Sequence, residues 1–163
     1  MKYRAYIDIE TTGLSRCHCD LTVIGIALEK GRECQIVQLL AGDLYEVNLL
    51  KALKGVDEIY SYNGSRFDLP FIEANLGIDL KRYFEHTDLM YECWRQNLKG
   101  GLKVVEQKLG IDRILKGLDG YMAVKLWYDY LNNNNEQALQ TLLAYNEEDV
   151  VNLRVLRQRL GIN

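Results

Sequence analysis

The sequence predicts an α/β fold: a mixed central β-sheet, antiparallel over its first three strands and flanked by α-helices. Three observations point there. Residues 4–40 hold three strand-like runs joined by turns. Residues 43–88 alternate helix and strand, and beyond residue 89 the apolar spacing is helical. Strands first, then alternation, then helices is the pattern of a sheet with helices packed on its faces.

Each element has a local reason. Arg4 to Glu10 alternates in strand fashion and ends in the turn signal Thr11-Thr12-Gly13. Thr22 to Glu29 is a second strand, and Gly31 allows a tight turn into a third, Glu33 to Leu40, rich in β-formers. Asp43 is expected to cap a helix running to Leu53, with Leu44, Val47, Leu50 and Leu53 at helical spacing. Asp57 to Tyr62 reads as a short strand, Phe67 to Leu76 as a helix closed by Gly77, and Tyr83 to Asp88 as a last strand. Helices are expected over 89–97, 102–109, 120–131, 136–144 and 146–160, with a turn at Asn132 to Asn135. Residues 111–119 carry no clear signal. No composition shift divides the chain, so residues 1–163 read as one domain.

Composition removes several classes. No apolar run approaches the ~20 residues of a membrane span. Met1-Lys2-Tyr3-Arg4 leads into the first strand without the apolar stretch of a signal peptide. Cys17, Cys19, Cys34 and Cys93 therefore read as reduced thiols of a cytoplasmic protein. A single proline and 13 glycines leave no room for a collagenous or disordered chain.

Three acidic segments carry the chemistry. In Asp8-Ile9-Glu10-Thr11-Thr12-Gly13 the two acids lie two apart on a strand, so they share a face while Ile7 and Ile9 point the other way. Adjacent carboxylates repel unless a cation sits between them, and hard oxygen ligands suit Mg²⁺ or Mn²⁺. Tyr62-Asn63-Gly64-Ser65-Arg66-Phe67-Asp68 follows a strand and opens a helix, with Asp68 in the first turn. There Asp68 is also what a helix dipole alone would favour. In Tyr145-Asn146-Glu147-Glu148-Asp149 the tyrosine and final aspartate are four apart, on one helix face. The same run also reads as a solvated helix start capped by Asn146.

In order and context the three segments resemble the motifs of the DEDD superfamily of 3′–5′ exonucleases, which have the ribonuclease H-like fold. Tyr145, with Ala144 where the histidine-type branch places histidine, is similar to the tyrosine-type (DEDDy) branch. The resemblance covers essentially the whole chain. It is strongest to YprB-like predicted exonucleases, through Leu102-Lys103, Glu106, Leu109-Gly110 and Tyr145-Asn146…Asp149-Val150.

The resemblance implies two divalent cations, Mg²⁺ or Mn²⁺, about 4 Å apart at the scissile phosphate. Asp8 would bridge both. Glu10 and Asp149 would complete the site of the nucleophile-side ion, Asp68 would hold the second through water, and Tyr145 would orient the attacking water. It further implies that Thr11 and Thr12 meet the terminal nucleotide, that Leu14 wedges against its base, and that Asn63 and Phe67 contact the next one. Leu14 and Phe67 read equally well as core, and Asn63 as a turn residue.

Other candidates are weaker. Cys17-His18-Cys19 is too closely spaced for a structural zinc site and lacks a second ligand pair. His86 reads as a structural hydrogen-bonding residue and Asp88 as a support for the site. Arg95 to Leu118 holds six basic and two acidic residues, and Arg154, Arg157 and Arg159 follow; these are candidate phosphate contacts.

The expected activity is release of nucleoside 5′-monophosphates from the 3′ end of single-stranded DNA or RNA. Two alternatives remain: a catalytically silent domain that binds nucleic acid or protein, and a ribonuclease H-type endonuclease. The formal charge of −3 weighs against a simple polybasic binder. Setting aside the four candidate metal ligands leaves 19 acids against 20 bases. Strand binding is therefore expected to need divalent ions.

Overall fold

The computed structural model of the chain describes residues 2–162. The strands are β1 (Tyr3–Thr11), β2 (Leu21–Lys30), β3 (Glu33–Leu40), β4 (Glu58–Ser61) and β5 (Glu85–Asp88). They form one sheet in the order β3-β2-β1-β4-β5. β1 and β3 pair antiparallel with β2, while β4 is parallel to β1 and β5 parallel to β4. This is the mixed sheet expected. The helices are α1 (Glu46–Ala52), α2 (Asp68–Leu76), α3 (Leu89–Arg95), α4 (Leu102–Lys108), α5 (Gly120–Asn133) and α6 (Glu136–Arg159). None of the described helices is long and apolar enough to cross a membrane.

Strand alternation sorts the two faces. Ala5, Ile7 and Ile9 of β1, with Ile24, Ile26 and Ile59, pack against Leu49 and Leu53 near α1 and Phe71 and Ile72 of α2. Tyr6, Ala27 and Tyr60 point the other way, onto Leu89 and Cys93 of α3, Val105 of α4 and Val150, Leu153 and Leu156 of α6. A third cluster joins Val23 to Ala123 and Trp127 of α5 and Leu142 and Tyr145 of α6. Asp8 and Glu10, in phase with Tyr6, thus project toward α6. Fully burying one such aliphatic side chain stabilises by about 1.5–3 kcal/mol, so these clusters hold α6 firmly against the sheet.

Two local expectations are corrected. Asp43 does not cap α1: Ala41–Asp43 form a 3₁₀ turn and Tyr45 occupies the cap position. Ala41 takes a left-handed φ of 48°, which turns the chain out of β3 before the helix can begin. The helices expected over 136–144 and 146–160 are one continuous helix, α6. Asn146 does not cap; it is buried mid-helix, with its side chain bonded across to the sheet. The asparagine turn does form: Asn134 is left-handed and Asn135 caps α6 by accepting from the Ala138 N–H at 3.2 Å.

Candidate active site

Asp8 and Glu10 come from the carboxyl end of β1, where the register to β2 shifts between Glu10 and Thr11. Such a bulge re-aims the side chains beside it. Asp149 comes from α6. One oxygen from each of Asp8, Glu10 and Asp149 lies within 4.8 Å of the others. Asp68 opens α2 and is buried, its Oδ1 accepting the Ile9 N–H at 3.2 Å. The backbone of β1 thereby ties the second acidic segment to the first.

α6 reaches the sheet because β2 carries Gly25 opposite Asp8. A β-carbon there would lie 2.1 Å from Asn146 Oδ1, so only glycine admits the asparagine. Asn146 Nδ2 donates to the Asp8 carbonyl at 3.2 Å and to Asp8 Oδ2 at 3.3 Å. Gln38 Nε2, on β3, donates to Asn146 Oδ1 at 2.9 Å and to the Leu143 carbonyl at 2.8 Å. These bonds fix the rotation of α6 so that Tyr145 and Asp149, on either side of Asn146, face the carboxylates of β1.

The electrostatics are unfavourable for so many acids. Burial, then Asp149, Asp68 and Glu10, push the Asp8 carboxyl well above its ordinary range. Burial, then Asp149 and Asp68, do the same to Glu10, with Lys103 acting in the opposite sense. Burial raises Asp68 to about 7 against the pull of its backbone hydrogen bonds. Asp149 is raised by burial although Arg113 opposes the rise. Glu10 Oε1 is buried without a hydrogen-bond partner. A converging set of buried carboxylate oxygens, one of them unsatisfied, fits a hard divalent cation.

Tyr145 is 6% exposed, and Lys103 Nζ sits 4.7 Å from its ring centroid. Burial and the neighbouring Asp149, Glu10 and Asp8 hold its phenol protonated, so it is a neutral donor. Asp8, Tyr62, Lys103, Arg113, Tyr145 and Asp149 line an open cleft of about 330 Å³. The reading of Asp149 as part of a solvated helix start is overturned, since it is 6% exposed. Glu148 faces the 111–119 loop, where it accepts the Ile114 and Leu115 N–H groups.

The other predicted residues do not line this cleft; Leu14 and Phe67 line a separate one. Thr11 Oγ1 donates to the Gly13 carbonyl at 2.6 Å, and Thr12 Oγ1 accepts the Asp20 N–H at 2.8 Å. Both hydroxyls shape the loop. Leu14 is 87% exposed, so it is not core. Phe67 is half-buried against Phe71, with ring centroids 5.4 Å apart. Asn63 is left-handed at φ 60°. Asp88 accepts the N–H groups of Asn63 at 2.8 Å, Ser65 at 3.0 Å and Met90 at 3.1 Å, holding the second segment and capping α3. His86 pairs with Ser61 Oγ at 2.8 Å, and burial lowers its pKa, in keeping with a structural role. His18 is exposed, and among the described residues the Asp8–Glu10–Asp149 group alone gathers metal donors; Cys17, His18 and Cys19 are not among them.

Several expected phosphate contacts are consumed internally. Arg157 is 6% exposed and donates to Tyr6 Oη at 2.6 Å and to Glu29 at 3.3 Å. Arg154 also pairs with Glu29, and Arg95 with Glu92. Arg113, one of the candidate phosphate contacts between Arg95 and Leu118, is instead paired with the acids of the site. Its Nε and Nη2 grip Glu106 at 2.5 and 2.9 Å, while Nη2 also bonds Asp149. It lies in the segment without secondary-structure signal. The one hint is Glu106, the single acid of α4, which needs a partner if buried.

Comparison with known proteins agrees with this architecture. The RNase H superfamily model matches residues 5–161. Protein YprB of Bacillus subtilis (strain 168) is 29% identical over 91% of the chain, which spans 39% of that protein's length. A structure of Brucella melitensis NrnC bound to pGG superposes with a TM-score of 0.66 at 25% identity, over 97% of this chain and 71% of that one. A structure of exonuclease I shares the fold with a TM-score of 0.61 at 12% identity, over 99% of this chain and 41% of that one. The chain belongs to the RNase H superfamily.

Proposed function

We propose that the chain is a metal-dependent 3′–5′ exonuclease of the tyrosine type, acting on single-stranded DNA or RNA. The observation that carries this reading is the convergence of Asp8 and Glu10 of β1 with Asp149 of α6 beside an open cleft, with Glu10 Oε1 buried and unsatisfied. The likeness to NrnC bound to pGG and to exonuclease I supports it.

Asp8, Glu10, Asp68 and Asp149 would hold the divalent cations, which when bound acidify water and neutralise charge on the reacting phosphate. The chain's own residues do the rest. Arg113 holds Asp149 in place through its Oδ1, beside Asp8 and Glu10. Tyr145, kept protonated by burial and by its acidic neighbours, offers its hydroxyl to orient the attacking water. Thr11, Thr12 and Leu14 follow Glu10 in the chain and Asn63 and Phe67 precede Asp68, and these five residues would meet the last two nucleotides. Exposed Leu14 is free to wedge against a base, and the Phe67 ring to stack.

One observation favours a second reading. Arg113 already pairs with Asp149 within the chain, which would weaken its hold on a metal ion and suits a silent strand-binding domain. Digestion of a 5′-labelled single strand with Mg²⁺ or Mn²⁺ separates the two. The exonuclease gives a stepwise ladder that EDTA abolishes and that Asp8→Ala reduces by about a thousandfold or more. Intact strands with both ions, on both DNA and RNA, reject it. Cleavage of circular strands would instead indicate an endonuclease.

A further inference from the structure

A second cleft, of about 290 Å³, lies between the β1–β2 loop and the loop that opens α2. Leu14, Phe67 and Phe71 form its apolar walls, Arg16 and Arg66 also line it, and it contains no carboxylate. Both arginines are exposed, and neither has an acidic partner among the ion pairs of the described residues. Arg66 is nevertheless ordered by packing. Its guanidinium carbon lies 5.8 Å from the Tyr91 ring centroid and 6.0 Å from that of Trp94. Those two rings meet edge to face at 5.3 Å, and Trp94 remains 41% exposed. Glu92, the acid on the same short helix, is taken up by Arg95. The result is a shelf of flat faces and uncompensated positive charge that begins two residues from Asp68.

We infer that this shelf, built from Arg16, Arg66, Tyr91 and Trp94, binds the single strand upstream of its two terminal nucleotides. A base stacks on the Arg66–Trp94 layer, and its phosphate is met by the two guanidiniums. Guanidinium planes and aromatic faces are what unpaired bases stack on, and a guanidinium is always charged and suited to phosphate. The place of the shelf, beginning two residues from Asp68, favours the strand itself over a protein or lipid partner. The inference rests on the exonuclease reading and adds a length preference: strands of three or more nucleotides are better substrates than dinucleotides.

The test measures kcat/KM on 5′-labelled oligonucleotides of two to eight residues with Mn²⁺. It is paired with fluorescence anisotropy of a labelled hexanucleotide and dinucleotide in Ca²⁺. The intact chain should show a rise of about tenfold in kcat/KM from two to four residues. Trp94→Ala and, on an exposed side chain that cannot unfold the chain, Arg66→Gln should each shrink the hexamer-to-dimer ratio severalfold, in turnover and in binding. Arg66→Lys should recover only part of it, since it restores charge without the planar stack. A flat length dependence, or a ratio unchanged in both variants, overturns the shelf. Absence of hydrolysis at every length would reject the exonuclease reading alone, because the anisotropy ratios still decide whether the shelf binds strand.

Discussion

The sheet face that looks toward α6 carries buried carboxylates in two places, and their charge is compensated in opposite ways. Beyond Tyr6, Glu29 is surrounded by the Tyr6 hydroxyl, Arg154 and Arg157, and Glu58 by Tyr60, Thr87 and Lys2. Burial alone would raise both acids, but these partners outweigh it and hold them below the ordinary range. Two strand residues further along β1, Asp8 and Glu10 are raised, as are Asp68 and Asp149 beside them, and among the described residues Arg113 is the one cation bonded to any of them. The first group is complete within the chain and anchors α6. The second is incomplete, and a completing charge has to come from outside. An incomplete buried cluster costs stability and is retained where chemistry uses it.

The largest effect on stability is expected at the complete end. Arg157→Ala leaves Glu29 and the Tyr6 hydroxyl without their shared partner. Breaking a buried pair from one side costs about 3–5 kcal/mol, which for a chain of this size lowers Tm by roughly 6–20 °C. A fall of only one or two degrees in thermal unfolding would show that the α6 anchor lies elsewhere.

Gly25→Ala tests the join between the two ends. The added methyl meets Asn146 Oδ1 at 2.1 Å, so α6 must rotate or lift. Overpacking of this kind costs about 1–3 kcal/mol, and the displaced Asp149 should weaken Mn²⁺ binding as well. Loss of stability with metal affinity intact would separate the Asn146 contact from the site.

A smaller, pH-dependent effect distinguishes the complete end further. Glu29 is held below its unfolded pKa, so its stabilisation is present above about pH 4 and is lost as pH falls through the lower, folded value. Glu29→Gln should therefore cost about 1–2 kcal/mol near pH 7, and the difference from the parent chain should close below pH 4. A pH-independent difference would mean that the carboxylate charge does not matter there.

Most of this arrangement could be read from the chain because it follows from local period. The two-residue spacing of Asp8 and Glu10 and the four-residue spacing of Tyr145 and Asp149 decide which side chains share a face. The β-formers of Thr22 to Leu40 and the asparagine turn at Asn132 to Asn135 mark their own elements. What could not be read depends on residues far apart. Asn146 resembles a cap until Gly25 and Gln38 are brought against it, so α6 appeared as two helices. Arg113 sits in a segment without periodicity and acquires its role only when Glu106 and Asp149 meet around it. Arg154 and Arg157 look like phosphate contacts by position, yet Glu29 and Tyr6 claim them through contacts across the fold. Asp43 failed as a cap because a left-handed Ala41 delays the helix, and no local pattern announces that turn.

The contrast between the two ends is tested most directly by thermal unfolding of the parent chain and Asp8→Asn, each with and without Mn²⁺, at pH 5 and pH 8. A carboxylate whose folded pKa is raised favours the fold while protonated and opposes it as pH climbs through that value. Without metal, Asp8→Asn should therefore melt higher than the parent at pH 8, with a smaller gap at pH 5. Mn²⁺ should raise the parent at pH 8 and leave Asp8→Asn nearly unmoved. A parent chain that Mn²⁺ does not stabilise, or an Asp8→Asn chain stabilised equally, would contradict a carboxylate cluster completed by a divalent ion.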